Sequence, residues 1–145
     1  MVIESHELRL RTSARTDVVD ITDEVQTRLG ESEVSNGVAV VFVPGSTGAV
    51  TTIEYEPGVL SDLVRAIERL APEGLDYDHD RRWGDGNGYA HVRAAMLGPS
   101  LSIPLANGRL VLGTWQQIVL LDFDNRSRQR RVMIQFMGEG EPLER

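Results

Sequence analysis

The sequence contains no cysteine and no lysine, and its 15 basic residues are all arginine. Without cysteine, disulfides, thiolate zinc sites and cysteine nucleophiles are excluded, so a metal ion would need imidazole, carboxylate, amide or water ligands. Without lysine, Schiff-base chemistry and a P-loop lysine are excluded. Arginine therefore remains as the side chain that binds anionic substrate groups, through its planar guanidinium.

Long apolar runs are also absent, since none approaches the roughly 20 residues that span a bilayer. The first residues, 1–6, lack the basic and then apolar layout of a signal peptide. The net charge of −7 and the pI near 4.9 argue against nucleic-acid or anionic-membrane partners, because phosphate groups require basic faces. We therefore expect a soluble, cytoplasmic protein that folds as a single domain over residues 1–145.

Residues 77–91 form the segment of the chain that is richest in chemically active side chains. Two of the three histidines lie here, together with three closely spaced glycines. His79, Asp85, Asn87 and His91 offer metal-ligand or proton-transfer chemistry, and the glycines let the backbone approach a ligand. We interpret this segment as the active-site or ligand loop. The alternative is a solvated turn that only reverses the chain.

Hydrophobic periodicity predicts the elements on either side of this segment. The predicted strands are 2–13, 37–43, 49–54, 109–123 and 130–137, and the predicted helices begin at Thr22, at Gly58 and at Tyr89. The first helix would have Thr22 as its N-cap and would end at Gly30. The strand at 109–123 would bury Thr114, Trp115, Gln116 and Gln117, and the two amides would then need hydrogen-bond partners.

Two further features suggest anion binding. The turn Pro44-Gly45-Ser46-Thr47-Gly48 can present backbone N–H groups and hydroxyls to a phosphate, but it lacks the P-loop spacing, and an ordinary hairpin turn is the alternative. The second feature is a local basic cluster of Arg128, Arg130 and Arg131. It is equally consistent with protection of a sheet edge and with anion binding.

Several motifs together resemble the YjbQ-type family of small proteins. They are Gly-Asn-Gly-Tyr-Ala-His at 86–91, Leu-Gly-Pro-Ser at 97–100, Leu-Gly-Thr-Trp-Gln at 112–116 and Asp-Phe-Asp at 122–124. Members of this family carry the label secondary thiamine-phosphate synthase. The resemblance implies an α+β fold with a mostly antiparallel β-sheet or sandwich and a few covering helices. It also implies a homotrimer with a polar cleft at subunit boundaries for metals or anions.

One position departs from the family pattern. Many members have His-Thr-Ser-Ala-Ala where this chain has Gly45-Ser46-Thr47-Gly48-Ala49. A site with three histidines is therefore not expected. The resemblance instead implies two histidines with a carboxylate or water, and we expect weak zinc binding and better binding of phosphate-bearing ligands with Mg²⁺. The positions that match the family are Glu54, His79, Asn87, His91 and Gln116.

The activity implied by the resemblance is thiamine-phosphate synthesis. This reaction joins hydroxymethylpyrimidine diphosphate to thiazole phosphate and releases pyrophosphate. The candidate catalytic residues are His79, His91, Glu54 and Asn87, the candidate metal ligands are His79, His91 and Asp85, and the candidate substrate-binding residues are Ser46, Thr47, Gly48, Gln116 and Arg131. The expected cofactor is a divalent ion, Mg²⁺ or Zn²⁺, and the expected partner is a small phosphorylated substrate.

Two other classes of function fit the same residues. One is a metal-dependent hydrolase or lyase of a small phosphorylated metabolite, with His79 or His91 as general acid or base. The other is a non-catalytic protein that binds a metabolite or metal. All three share one geometric prediction: the rings of His79 and His91 lie within roughly 10 Å of each other, within reach of a common ligand.

Overall fold

The computed structural model describes residues 1–140, which form eight strands and four helices. The strands are β1 (Val2–Thr12), β2 (Asp17–Asp20), β3 (Asn36–Phe42), β4 (Gly48–Ile53), β5 (Ser100–Ala106), β6 (Arg109–Leu110), β7 (Gln117–Asp122) and β8 (Arg128–Glu139). The helices are α1 (Thr22–Gly30), α2 (Pro57–Leu70), α3 (Asp78–Trp83) and α4 (Gly88–Leu97). All strand pairings between them are antiparallel, and the predicted α+β class is confirmed.

The strands form two sheets. A five-stranded sheet has the order β1-β8-β3-β5-β6, and a three-stranded sheet has the order β2-β7-β4. Although β3 and β4 follow each other in sequence, they belong to different sheets. The segment 43–47 therefore crosses from one sheet to the other, and the alternative of an ordinary hairpin turn at this place is wrong.

A first core lies between the two sheets and is closed by α1. It contains Val132 and Ile134 of β8, Leu120 of β7 and Val25 of α1, none of which is more than 1% exposed. Side chains of β8 alternate, so Val132, Ile134 and Phe136 share the buried face as predicted. Full burial of each such side chain stabilises the fold by about 1.5–3 kcal/mol.

A second core lies on the other side of the three-stranded sheet. Val119 and Leu121 of β7 face it and pack with Ile67 of α2 and with Ala90 and Ala94 of α4. The protein thus has three layers: the large sheet, the small sheet and a layer that contains α2 and α4. Because β7 is the middle layer's central strand, it is covered on both faces, which explains why its residues are apolar on both parities.

The predicted strand over 109–123 is wrong in its first half. The chain leaves the sheet after Leu110 and does not re-enter one until Gln117. Between them, Gln116 closes a turn, because its side-chain Oε1 accepts a hydrogen bond from the Gly113 N–H at 3.0 Å. Trp115 is 71% exposed, so the prediction that this part of the strand buries its side chains is also wrong.

Two smaller predictions need correction. Ile21, and not Thr22, is the N-cap of α1, and the Thr22 hydroxyl instead donates to Asp20 Oδ1 at 2.6 Å. The segment 77–91 is not a loop throughout, because α3 occupies its first half and α4 begins at Gly88. Within residues 1–140, no helix has both the length and the apolar character needed to cross a membrane.

Candidate functional site

The two histidines of the 77–91 segment lie on different helices and face each other. His79 is on α3 and His91 is on α4, and their ring centroids are 4.4 Å apart with an angle of 41° between the planes. The predicted approach of the two rings is confirmed. The chain reverses between the helices at Gly84 and Gly86, whose φ angles of 66° and 67° are in the left-handed region that glycine adopts without strain.

Two carboxylates lie beside His79. Oδ1 of Asp85 is 3.4 Å from His79 Nδ1, and Oδ1 of Asp80 is 3.7 Å from the same nitrogen. This Nδ1 is buried and has no hydrogen-bond partner among the described residues. Ligand atoms of His79, Asp80 and Asp85 all lie within 4.8 Å of one another. One imidazole and two carboxylates are a donor set that suits a divalent cation, so these residues fit the expected cofactor.

This set keeps two of the three predicted metal ligands, His79 and Asp85, and includes Asp80 in place of His91. Sequence reasoning missed Asp80, although it directly follows His79. Backbone N–H groups fix both carboxylates: Gly88 N–H donates to Asp80 Oδ1 at 2.8 Å, and Asn87 N–H donates to Asp85 Oδ1 at 3.2 Å. The start of α4 therefore holds the side chains that surround His79.

Asn87 itself serves as an anchor. It is 6% exposed, and its amide nitrogen donates to Asp124 Oδ2 at 3.2 Å while its amide oxygen accepts from Asn125 N–H at 3.0 Å. Both ends of the side chain are thus engaged by the protein. The arrangement ties the start of α4 to the segment after β7, which favours a structural role for a residue that the sequence suggested as catalytic.

The 44–48 turn adjoins His91 and encloses a pocket with it. Gly45, Ser46, Gly48 and His91 line a cavity of about 230 Å³, which is completed by Ala94, Ala95 and Pro99. Ser46 is exposed at its edge. Three predicted site residues, Ser46, Gly48 and His91, therefore meet at one pocket.

Thr47, also predicted to bind substrate, is instead turned into the protein. It is 5% exposed, its hydroxyl donates to Asp124 Oδ2 at 3.0 Å, and the same oxygen accepts from Arg130 Nη2 at 2.5 Å. Arg130 in turn bonds Asp122 through Nε at 2.8 Å and through Nη2 at 2.9 Å. Asp122 is fully buried, so this bidentate ion pair and its threonine form a closed network beneath the turn.

Arg130, and not Arg131, takes part in this network beneath the turn. Arg131, the predicted substrate ligand, is exposed, and its Nη1 lies 3.3 Å from Glu7 Oε2 on the outer face of the large sheet. Arg130 is on the opposite face of β8 and is 8% exposed. The signal was available in the sequence, because Arg130 has the same parity as the buried Val132 and Ile134.

Asp124 accepts hydrogen bonds from several residues of this region. Burial raises the pKa of its carboxyl group, but hydrogen bonds from Asn87, the Arg126 N–H, Thr47 and Arg128 outweigh burial, and the net pKa lies below its usual value. The carboxylate is therefore ionised at neutral pH, and it joins the turn, the start of α4 and β8 at a single group.

Glu54 and Gln116 lie apart from this region. Glu54 follows the other end of β4, about 20 Å from Gly48 at the usual rise per strand residue, and it is exposed. Gln116 Nε2 donates to Thr52 Oγ1 at 3.1 Å, and it lines a different cavity of about 280 Å³. Within one subunit, the structure therefore does not bring these two predicted site residues to the histidine pair.

Comparison with known proteins agrees with this architecture. The family model described as UPF0047 protein YjbQ-like matches residues 6–139. A UPF0047 protein of Archaeoglobus fulgidus is 43% identical over 128 residues, which cover 88% of this chain and 97% of the relative. The UPF0047 protein YugU of Bacillus subtilis is 35% identical over 132 residues, which cover 90% and 97% respectively.

Solved structures give the same result. A YbjQ-like protein of unknown function from Sulfolobus solfataricus P2 superposes with a TM-score of 0.90 at 30% identity, covering 95% of this chain and 99% of the other. A hypothetical protein from Aeropyrum pernix K1 gives a TM-score of 0.86 at 36% identity, with 94% and 99% coverage. By sequence and by structure, the chain belongs to the UPF0047 YjbQ-like family.

Proposed function

We propose that the chain is a divalent-metal-dependent enzyme that acts on a small phosphorylated substrate in the pocket beside His91. The observation that carries this proposal is the contact between the His79 and His91 rings, with two carboxylates within 3.7 Å of a buried and unpartnered ring nitrogen. Histidine rings and carboxylates clustered in this way are typical of catalytic sites.

The reaction that we propose is the one implied by the family label, thiamine-phosphate synthesis. In this coupling the bond between the pyrimidine methylene carbon and the diphosphate oxygen breaks, a new bond forms from the thiazole nitrogen to that carbon, and pyrophosphate leaves. A divalent cation at His79, Asp80 and Asp85 would supply positive charge for the departing diphosphate. His91 and the exposed Ser46 would orient the substrate from the pocket wall.

A second candidate is a metal-dependent hydrolase or lyase. It is favoured by Asp85 Oδ1, which lies 3.4 Å from His79 Nδ1. In this reaction His79 would act as the general acid or base, with the Asp85 carboxylate beside its ring. In this case a single phosphorylated substrate would be sufficient.

Product analysis separates the two reactions. The purified protein, freed of metal and then supplied with Mg²⁺ or Zn²⁺, would receive both coupling substrates or each one alone, with pyrophosphate and thiamine phosphate measured by mass spectrometry. Coupling needs both substrates, whereas hydrolysis proceeds with one. Absence of any turnover with either metal would leave a non-catalytic binding protein.

Three matched variants test the histidines. His79→Asn and His91→Asn are each expected to lower the rate by at least about 100-fold, the usual size of an acid–base or metal-ligand contribution. His6→Asn is the control, because the third histidine lies on β1 beside Phe136, with ring centroids 5.3 Å apart, and outside the pocket. Equal losses in all three variants would contradict the assignment.

We also propose the homotrimer implied by the family resemblance. Val111 and Trp115, in the segment between β6 and β7, are 53% and 71% exposed. Such apolar exposure is often covered by a second subunit. Light scattering would measure the mass, and a monomer would remove a cleft between subunits from consideration.

A further inference from the structure

The guanidinium of Arg130 occupies the space that a side chain at Gly45 would fill, and it is in van der Waals distance of one at Gly48. A Cβ atom at Gly45 would lie 2.7 Å from Arg130 Nη1, and one at Gly48 would lie 3.5 Å from Arg130 Cζ. Both glycines line the pocket beside His91. The cation therefore lies directly behind a part of the pocket wall that has no side chains.

The hydrogen bonds of Arg130 leave one of its nitrogens free. Nε donates to Asp122, and Nη2 donates to Asp122 and to Thr47, which accounts for three of the five guanidinium N–H groups. Among the described residues, no hydrogen bond engages Nη1, the nitrogen next to Gly45. The buried carboxylate of Asp122 holds the Arg130 side chain in place, and the two N–H groups of Nη1 remain available.

We propose that Nη1 of Arg130 is the anion-binding donor of the pocket and that it takes a phosphate group, with the Ser46 hydroxyl as a second donor. This assignment rests on the proposed function, since it names the part of the site that receives the phosphate of the substrate. A tetrahedral phosphate presents several acceptor oxygens, so it can accept from Nη1 and from a hydroxyl at the same time.

The charged side chains around Arg130 determine how strongly Nη1 attracts an anion. Asp122 pairs with Arg130, and Asp124 pairs with Arg128, so two carboxylates offset two guanidinium groups. The subsite therefore contributes directed N–H donors and not a strong positive field. Phosphate binding without metal should consequently depend only weakly on ionic strength.

Access to Nη1 depends on Gly45. Its φ of 126° is in the region that favours glycine, and any side chain there would meet the guanidinium. Glycine at position 45 therefore leaves the space next to Nη1 free of a side chain.

The test is a calorimetric titration with inorganic phosphate in the presence of EDTA, which separates anion binding from metal binding. Arg130→Lys keeps the charge next to Asp122 but removes the fork, and we expect at least a tenfold loss of phosphate affinity. Arg131→Lys is the matched control, because it makes the same change on the opposite face of β8. Its affinity should stay within about twofold of wild type. Equal affinities for all three proteins, or no binding by wild type, would overturn the subsite.

Because Arg130→Lys weakens the pair with Asp122 and can prevent folding, a second measurement uses the unaltered protein. In a phosphate titration followed by NMR, the guanidinium nitrogen signals of Arg130 should shift and saturate while those of Arg131 stay constant. Phosphate binding that depends on Arg130 but occurs without turnover would refute the proposed activity alone. Turnover with phosphate binding that is indifferent to Arg130 would refute this subsite alone.

Discussion

The two ends of β4 hold their polar side chains in different ways. At the Gly48 end, Thr47, Asp122 and Asp124 are at most 5% exposed and bond one another through Arg130 and backbone groups. At the Ile53 end, Gln116 bonds Thr52 at the surface. Both ends contain residues that the sequence suggested as functional, but only the Gly48 end has a rigid polar network next to the histidine pair. Pre-organisation of this kind is what a catalytic site needs, because the donors do not have to reorganise during reaction.

The largest effect is expected from breaking the buried ion pair at the Gly48 end. Asp122→Ala leaves the Arg130 guanidinium buried without its carboxylate and should lower the free energy of unfolding by about 3–5 kcal/mol. Glu54→Ala, at the exposed Ile53 end, should change it by no more than about 0.5 kcal/mol. Urea denaturation measures both. Similar values for the two variants would remove the contrast between the ends.

A smaller effect is expected from the threonine hydroxyl in the same network. Thr47→Val keeps the shape but leaves Arg130 Nη2 and Asp124 Oδ2 each short of one partner, at a cost of about 1–3 kcal/mol. Thermal or urea unfolding provides the measurement. This expectation replaces the prediction from sequence that the hydroxyl contacts phosphate directly. If Thr47→Val kept its stability but lost phosphate binding, direct contact between the Thr47 hydroxyl and phosphate would again be the better interpretation.

The pH dependence of stability should also come from the Gly48 end. The pKa of Asp124 is lower in the folded state than in the unfolded chain, so its stabilisation is complete above about pH 4, the unfolded value. It is lost as the pH falls through the lower folded value. Asp124→Asn should therefore flatten the decline in unfolding free energy between about pH 4 and pH 2. An acid decline identical to wild type would show that other carboxyl groups cause it.

The smallest effect is expected at the Ile53 end. Gln116→Ala removes two side-chain hydrogen bonds near the surface, to Gly113 N–H and to Thr52, and should cost about 1 kcal/mol or less. Metal binding at His79 should be unchanged, because Gln116 lies near the Ile53 end of β4 and the histidine pair lies near the Gly48 end. Calorimetry with Zn²⁺ or Mg²⁺ on this variant tests that separation. A large loss of metal affinity would mean that Gln116 reaches the histidine pair of another subunit.

Much of the architecture could be predicted because local patterns determine it. The alternation of Val132, Ile134 and Phe136 gave the orientation of β8, and the helical period from Gly58 gave α2. The pairing of His79 with His91 was also predictable, since few residues separate them and glycines allow the reversal.

Other features depend on contacts between distant parts of the chain. No local pattern states that β3 and β4 enter different sheets, because this depends on which strands pair with β7 and β8. The sequence does not reveal that the strand is interrupted at 111–116, because the residues there are apolar enough to continue it. Gly113 is the residue in this segment that disfavours a strand. Local charge does not distinguish Arg130 from Arg131. Only the alternation of β8 shows that Arg130 shares the buried face with Val132 and Ile134.

The unequal anchoring of the two histidine helices has a consequence for local unfolding. Helix α3 has six residues and no buried side chain, whereas α4 buries five of its residues. Amide protons of α3 should therefore exchange with solvent through openings that leave α4 intact. His79 would move away from His91 in each such opening, while His91 stayed in place. A ligand held by both rings would bind only the closed form, and it would slow exchange in α3 in proportion to its concentration over its dissociation constant.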